Sequence, residues 1–470
     1  MRRFWAAIAS AILGAAGASA DSLLVGAYAE DVTPAELPIS LAGSMADVQA
    51  TEVHDRIFAR AIVLDDGRLR LGVVLCDSCM IPRELFDEAK GRLEQSLRFP
   101  PANLLMAATH SHTCPTVAGV FQSEPNERYR KQLVEGIAAA VRKAVDRLAP
   151  ATFAWGGANC PDQVFNRRWR RPPEAIPPDP FGRKIDRVQM NPPVGASDLL
   201  EPAGPVDPQV CVLQFAAPNG RPRALLANYS LHYVGGVPAR SVSADYFGEF
   251  ARIVAKRAAP SDDDFVAVLS NGTSGDVNNI NFREPQQPAG PFERIRCVAG
   301  RVADAALSAV ERAEPVDRPT LAAARREIEL RIRKPTPEEV EQARLVLEQA
   351  GDRPLVGTRE IYARETLKLA DYPETVRLWV QALRIGPVGV VAIPCEVFAE
   401  IGLEIKEKSP LQPTFTIELA NGYNGYLPTP AQHELGGYET WRARSSCLEV
   451  DASVKITRTA LDLLDEVAGE

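Results

Sequence analysis

A series of short apolar runs, each stopping at residues able to do chemistry, constrains this chain more than any other feature. "LRLGVVLC" (69–76), "LLMAATH" (104–110), "ALLANYSLH" (224–232), "FVAVLSN" (265–271) and "VGVVAIP" (388–394) are bounded by polar residues, glycine or proline. Runs that are apolar throughout, rather than alternating, read as strands buried on both faces. Helical patterns separate several of them, over residues 83–97, 127–148 and 245–259. Strand–helix–strand alternation predicts an α/β fold, a multi-layer mixed sheet with flanking helices. With 46% hydrophobic residues in 470, a large core is within reach, and a 24% charged fraction without long polar tracts predicts order throughout.

The chemistry collects at the ends of these runs. His110 and His112 follow the second, His232 the third, "SNGTSGDVNNIN" (270–281) the fourth and Glu396 the fifth. Tyr423 and Tyr426 follow a further run, "TFTIELAN" (414–421). Ligand sites in open α/β sheets form outside the carboxyl ends of the strands, so these ends predict one convergent site. Each residue also has a plainer reading. His232 fits a hydrogen-bonded core position, Glu396 fits a helix cap and Tyr426 fits a packing aromatic. His110 and His112, at i and i+2 of an extended segment, would project to the same side, as a ligand pair or as a polar turn. If a metal binds, histidines with one carboxylate point to zinc with a position left for water. In "SNGTSGDV", Ser274 lacks the spacing of a nucleophile elbow, while Gly272 and Gly275 permit a tight backbone path beside the site.

The rest of the chain frames this site. Arg2 and Arg3, an apolar stretch from Phe4 to Leu13 and Ala18-Ser19-Ala20 read as a cleaved export signal over 1–20, too short for a membrane span. Export to the periplasm or exterior is the expected localisation. Losing the two arginines from 53 basic residues leaves 51 against 61 acidic ones, deepening the net charge from −8 to −10. That sign excludes long-range attraction to nucleic acid and leaves peripheral membrane contact open through local basic clusters such as "NRRWRRP" (166–172). "CDSC" (76–79) has redox spacing but no thioredoxin-like context, so it reads as buried thiol or local disulfide. Residues 171–208 form a proline-rich excursion, and residues 336–351 an accessory helix capped by Thr336 with Glu339 completing a capping box.

Taken together, the motifs resemble the neutral/alkaline non-lysosomal ceramidases, zinc-dependent amidases acting on N-acyl sphingosine. "VGAYAEDVTP" (25–34) is similar to the family's opening strand, and "VHDRIFARAIVLDDG" (53–67) to its His-x-Arg-x-x-Ala-Arg-Ala segment. "THSHTCP" (109–115) resembles Thr-His-Thr-His-Ser-Gly-Pro, and "FNRRW" (165–169) resembles Asn-Arg-Ser-Pro. The resemblance implies a catalytic domain over 21–470 without the C-terminal immunoglobulin-like domain of longer members. It implies zinc held by His110, His232, Glu396 and Tyr426, with His112, Arg167, Asp276 and Asn278 serving catalysis on a small-molecule or lipid N-acyl substrate. Two departures stand out. The family's Gly-Asp-Val-Ser-Pro-Asn is here Gly275-Asp276-Val277-Asn278-Asn279-Ile280, so Asn278 replaces its serine, and Cys114 stands where the family has glycine. Hydrolysis of a different N-acyl or ester substrate, or a catalytically silent binding role, are the alternatives that Asn278 raises.

Overall fold

In the computed structural model, which describes residues 22–285 and 287–469, the apolar runs become strands of three separate sheets rather than one. The export segment expected over 1–20 lies outside the described residues. The first sheet runs in the order Leu104–Ala108, Arg70–Cys76, Phe58–Asp65, Leu24–Asp31 and Ala149–Pro150. The second runs Val266–Asn271, Pro222–Tyr229, Gln209–Ala216, Thr152–Asn159 and Glu314–Val316. The third runs Leu321–Arg331, Thr375–Ile385, Val388–Ile393 and Thr414–Glu418.

Each of these sheets is antiparallel except for one parallel pair at its edge. Arg70–Cys76 pairs in parallel with Leu104–Ala108, Pro222–Tyr229 with Val266–Asn271, and Val388–Ile393 with Thr414–Glu418. A parallel pair needs a crossover, and a helix supplies it every time: Arg83–Leu97, Asp245–Ala258 and Ala399–Lys408 respectively. The predicted strand–helix–strand units are therefore real, but they are distributed one to a sheet. The long antiparallel strands that complete the sheets carry less continuous apolar runs, which is why the parallel pairs dominate the sequence pattern.

The inner faces of the three sheets share one apolar cluster. It includes Val73, Leu75, Leu105 and Ala107 from the first, Leu213, Leu226 and Val268 from the second, and Leu383, Val390, Phe415 and Ile417 from the third. Helices cover the outer faces. Arg83–Leu97 and Glu127–Asp146 cover the first sheet, Asp245–Ala258 and Glu293–Glu311 the second, and Ala399–Lys408 and Ala452–Gly469 the third. This explains strands buried on both faces. The first and third sheets also join directly: Ala107 bridges Ala420, the Ala108 N–H donates to the Leu419 carbonyl (3.2 Å) and the Asn421 N–H to Met106 (2.7 Å).

The proline-rich excursion is ordered, with Arg168–Arg170 between Val188–Met190 and Glu201–Pro202 in a three-stranded sheet. The helix Pro337–Ala350 begins at Thr336, whose hydroxyl and Glu339 form a capping box. Only Ala343 and Ala350 of that helix are buried. The eight cysteines, all among the described residues, are unpaired, so Cys76 and Cys79 are buried thiols.

Because Phe415 is 1% exposed in the shared core, Phe415→Ala should cost about 3–5 kcal/mol of stability. Leu345→Ala on the exposed face of Pro337–Ala350 should change it by about 0.5 kcal/mol or less. Urea unfolding of both variants checks this, and equal losses would contradict a core shared by the three sheets.

Candidate metal centre and active site

The carboxyl ends of the three parallel pairs point into one buried place. His110 lies just beyond Leu104–Ala108, His232 just beyond Pro222–Tyr229 and Glu396 just beyond Val388–Ile393. His110 Nε2 is 3.0 Å from His232 Nε2, 3.2 Å from His112 Nε2 and 3.3 Å from Glu396 Oε2. His110 and His232 are each 1% exposed and Glu396 2%. Three of the chain's five histidines thus meet at one point, while His54 stacks on Phe292 and His433 sits on the short helix Pro430–Leu435.

His110 and His112 do not converge in the way strand alternation predicts. The strand ends at Ala108, and His110 has a left-handed backbone with φ of 77°. The two rings are perpendicular at 4.7 Å between centroids. A non-glycine residue in that region costs on the order of 1 kcal/mol or more, and such strain gathers at functional sites. The His110 N–H donates to the Ser78 carbonyl (2.8 Å), which fixes the turn.

Backbone carbonyls set the tautomers. His110 Nδ1 is 2.8 Å from the Cys79 carbonyl and His232 Nδ1 is 3.1 Å from the Ser274 carbonyl. A carbonyl only accepts, so both rings carry hydrogen on Nδ1 and present an Nε2 lone pair to the cluster. Two acceptors thus face each other at 3.0 Å with a carboxylate oxygen beside them, and of these atoms only His232 Nε2 has a guanidinium nitrogen within reach, Arg167 Nη1 at 3.3 Å. Glu396 Oε2 has no hydrogen-bond partner, although it is buried. A cation resolves that conflict, and His110, His232 and Glu396 offer ligand atoms close enough to hold one.

Tyr426 reaches the same place by a different route. A two-residue parallel ladder sets Glu396 directly opposite Tyr426, so both side chains leave the same face. Arg167 then ties the group together. Its Nη2 donates to Tyr426 OH (3.1 Å) and to the Gly275 carbonyl (2.8 Å), its Nε donates to Glu439 (2.9 Å), and its Nη1 lies 3.3 Å from His232 Nε2. Arg168 binds the other oxygen of Glu439 (2.6 Å), so one buried carboxylate balances two buried guanidinium groups. Glu439 lies two residues beyond the pair Gly436-Gly437, and no periodic pattern marks it.

Charge inside the cluster is unevenly shared. Burial opposes a second proton on His110, but Cys79 and Glu396 raise its pKa well above the imidazole range, so its Nε2 attracts a positive charge, which either a proton or a metal ion supplies. Burial also keeps the Cys79 thiol protonated, so the Glu396 carboxylate is the neighbour that matters. Burial, His110 and Arg167 hold His112 and His232 well below that range. His112 is the imidazole nearest solvent, partly exposed and stacked on Tyr233 at 3.7 Å.

Two predicted catalytic residues are placed differently. The Asp276 carboxylate accepts from the Ala399 N–H (2.8 Å) and Asn166 Nδ2 (2.8 Å), so it caps the helix Ala399–Lys408 behind Glu396. Its carbonyl accepts from the Arg167 N–H (2.9 Å). Asn278 does not aim its amide at the imidazoles: Nδ2 donates to Asn191 Oδ1 (2.7 Å) and Oδ1 accepts from the Ile280 N–H (2.9 Å). The excursion that carries Asn191 captures the side chain first.

Ser274 is likewise committed. Its hydroxyl donates to Glu418 at 2.5 Å. Glu418 ends the strand Thr414–Glu418 and escaped the sequence reading, although a lone carboxylate in an apolar run gave the same signal as His110. Burial pushes its carboxyl up to about 8, against the donors that surround it. The two glycines do provide close approach. A Cβ on Gly275 would lie 2.6 Å from the Glu396 carbonyl oxygen, and one on Gly272 would lie 2.3 Å from Ser230 Oγ.

Residues 23–289, more than half of the chain, match the family described as neutral/alkaline non-lysosomal ceramidase, N-terminal. The chain belongs to this family. That match includes His110, His112, Arg167 and His232 and stops before Glu396 and Tyr426. Likeness of fold extends further. The crystal structure of neutral ceramidase from Pseudomonas aeruginosa superposes with a TM-score of 0.71 at 19% identity, over 95% of this chain and 74% of that one. A ceramidase complexed with C2 gives 0.73 at 18% identity, over 95% and 75%. The family's fold therefore carries through the third sheet.

Burial raises the Asp276 carboxyl from 3.8 to about 6. The folded state then binds the extra proton between those values, so this group's contribution is fully present below pH 3.8 and lost as pH rises through 6. The loss is on the order of 3 kcal/mol. Stability of the wild type relative to Asp276→Asn should fall across that window and level off above it. A pH-independent difference in urea unfolding would contradict this.

Proposed function

We propose that the chain is an exported zinc-dependent amidohydrolase that cleaves an N-acyl amide, with ceramide or a related lipid as the substrate class. The observation that carries this reading is the buried meeting of His110, His232 and Glu396, with Glu396 Oε2 left unpartnered, in a chain of ceramidase family and fold. His110, His232, Glu396 and Tyr426 would hold the ion. Zinc bound there supplies Lewis acidity, which polarises a carbonyl and makes water nucleophilic at neutral pH.

The chain's own groups then have separate tasks. Arg167, fixed by Glu439, Tyr426 and the Gly275 carbonyl, keeps a positive charge beside the reacting centre, where a carbonyl oxygen turns negative. Its orientation is set before substrate arrives, so no reorganisation is needed as that charge develops. His112, whose Nε2 faces the cluster and whose ring lies nearest to solvent, is placed to take the proton that the attacking water loses and pass it to the leaving nitrogen. Tyr233 stacks on its ring and limits how that imidazole turns. No helix among the described residues is long and apolar enough to cross a membrane, so a lipid substrate would be met by peripheral contact.

One observation favours a second reading, hydrolysis of a different N-acyl or ester substrate. Asn278 stands where the family has serine, and its side chain is bound to Asn191 and the Ile280 N–H. Any substrate contact that the serine hydroxyl makes in the family is not reproduced by this side chain.

Metal analysis of the purified protein should give one zinc per chain, lost in His110→Ala and Glu396→Ala. Arg167→Lys should keep the zinc and lower kcat about 10²-fold, because an ammonium cannot make the three-sided contact of the guanidinium. A panel of N-acyl sphingosines, N-acyl amino acids and acyl esters separates the two readings. Zinc retained in both ligand variants, or no hydrolysis of any amide or ester by the zinc-loaded chain, would overturn the proposal.

A further inference from the structure

Glu418 is fully buried, makes its side-chain hydrogen bonds to none of the four residues expected to hold zinc, and yet is gripped from both sides of the site. Its Oε1 accepts from Ser274 Oγ (2.5 Å) and Asn271 Nδ2 (2.9 Å). Its Oε2 accepts from the Ser274 N–H (3.1 Å) and the Val397 N–H (2.7 Å). Ser274 is thus held at two points, hydroxyl and amide, by the two oxygens of one carboxylate. A two-point grip fixes the orientation of the peptide that follows. That peptide's carbonyl faces His232 Nδ1 at 3.1 Å and selects the tautomer whose Nε2 meets His110 and Glu396. The next carbonyl, on Gly275, accepts from Arg167 Nη2.

The Val397 N–H leads to the other side. Val397 directly follows Glu396, so the bond to Glu418 fixes the backbone from which the carboxylate ligand projects. An ordinary polar anchor between the second and third sheets would need no such selection of partners. Here three of the four donors lie on the segments that support His232 and Glu396, and the fourth, Asn271, also donates to Ser274 Oγ (3.0 Å). A carboxyl group buried this deeply is costly to leave unpaired, and its four hydrogen bonds offset that cost only while all four stay in place.

We propose that Glu418 is a positioning residue for the metal centre, orienting His232 through Ser274 and Glu396 through Val397, and so setting how tightly the ion is held. This rests on the zinc reading above. Outer partners of metal ligands typically contribute 10–100-fold in metal affinity.

The test uses the full chain as wild type, Glu418→Gln and Ser274→Ala. Zinc affinity is measured by competition with a chromophoric chelator, the cobalt(II)-substituted proteins give visible absorption spectra, and circular dichroism checks folding of the metal-free forms. Both variants should bind zinc about 10–100-fold more weakly and show altered cobalt bands, because the ligand geometry has relaxed. Those spectra would not move if the role were stability alone. If Glu418→Gln fails to fold, Ser274→Ala decides, since it removes one hydroxyl and leaves the carboxylate. Folded variants with wild-type affinity and wild-type cobalt bands overturn the inference while the zinc reading stands. A wild type that takes up no zinc overturns both.

Discussion

Everything at the site depends on the packing of three sheets against one apolar cluster. Leu75, Val268 and Ile417 belong to parallel pairs on different sheets, and all three lie in that cluster. Burying such surface contributes about 25 cal/mol per Å² and has no directional preference. Direction comes from the strands, because each parallel pair ends in the same region. Side chains from distant parts of the chain are thereby delivered to one point with little freedom left to lose on binding. The edge-to-edge junction of the first and third sheets, through Ala107 and Ala420, sets the place of His110 relative to Glu396 more rigidly than a side-chain contact would.

In the polar interior around the site, each buried carboxyl group that supports it has fixed partners. Glu439 serves Arg167 and Arg168, Asp276 serves the Ala399 N–H and Asn166, and Glu418 serves four donors. Among the described residues, two buried carboxylate oxygens lack a hydrogen-bond partner, Asp77 Oδ1 and Glu396 Oε2, and of these Glu396 Oε2 has imidazole nitrogens in front of it. Asp77 is already paired with Arg60 through its other oxygen, whereas Glu396 Oε2 faces ring nitrogens, where a bound cation would serve it.

Much of this was legible in the sequence, but unevenly so. The apolar runs revealed the parallel pairs because strands buried on both faces need no alternation. They could not reveal that the pairs belong to three sheets, since that depends on antiparallel neighbours such as Leu321–Arg331, where apolar and charged residues mix. His110, His232 and Glu396 were found through their place after a strand. The route by which His110 and His112 meet was not, because a left-handed backbone at histidine leaves no compositional mark. Asp276 and Asn278 were read from a motif, and motifs carry no information about which neighbour captures a side chain. Glu418 was overlooked as part of a strand, though one charge in "TFTIE" was itself the clue.

If the proposed ion binds, the order of its four expected ligands along the chain has a consequence for how the protein matures. His110 and His232 belong to the first two sheets, whereas Glu396 and Tyr426 arrive only with the third. During synthesis, the amino-terminal part emerges with two imidazoles and no carboxylate to complete the set. A nascent chain therefore cannot trap a metal ion in a misfolded half-site with native strength. Capture of the proposed ion would then be a late event, and the energy it releases would accrue only to chains whose last sheet has docked.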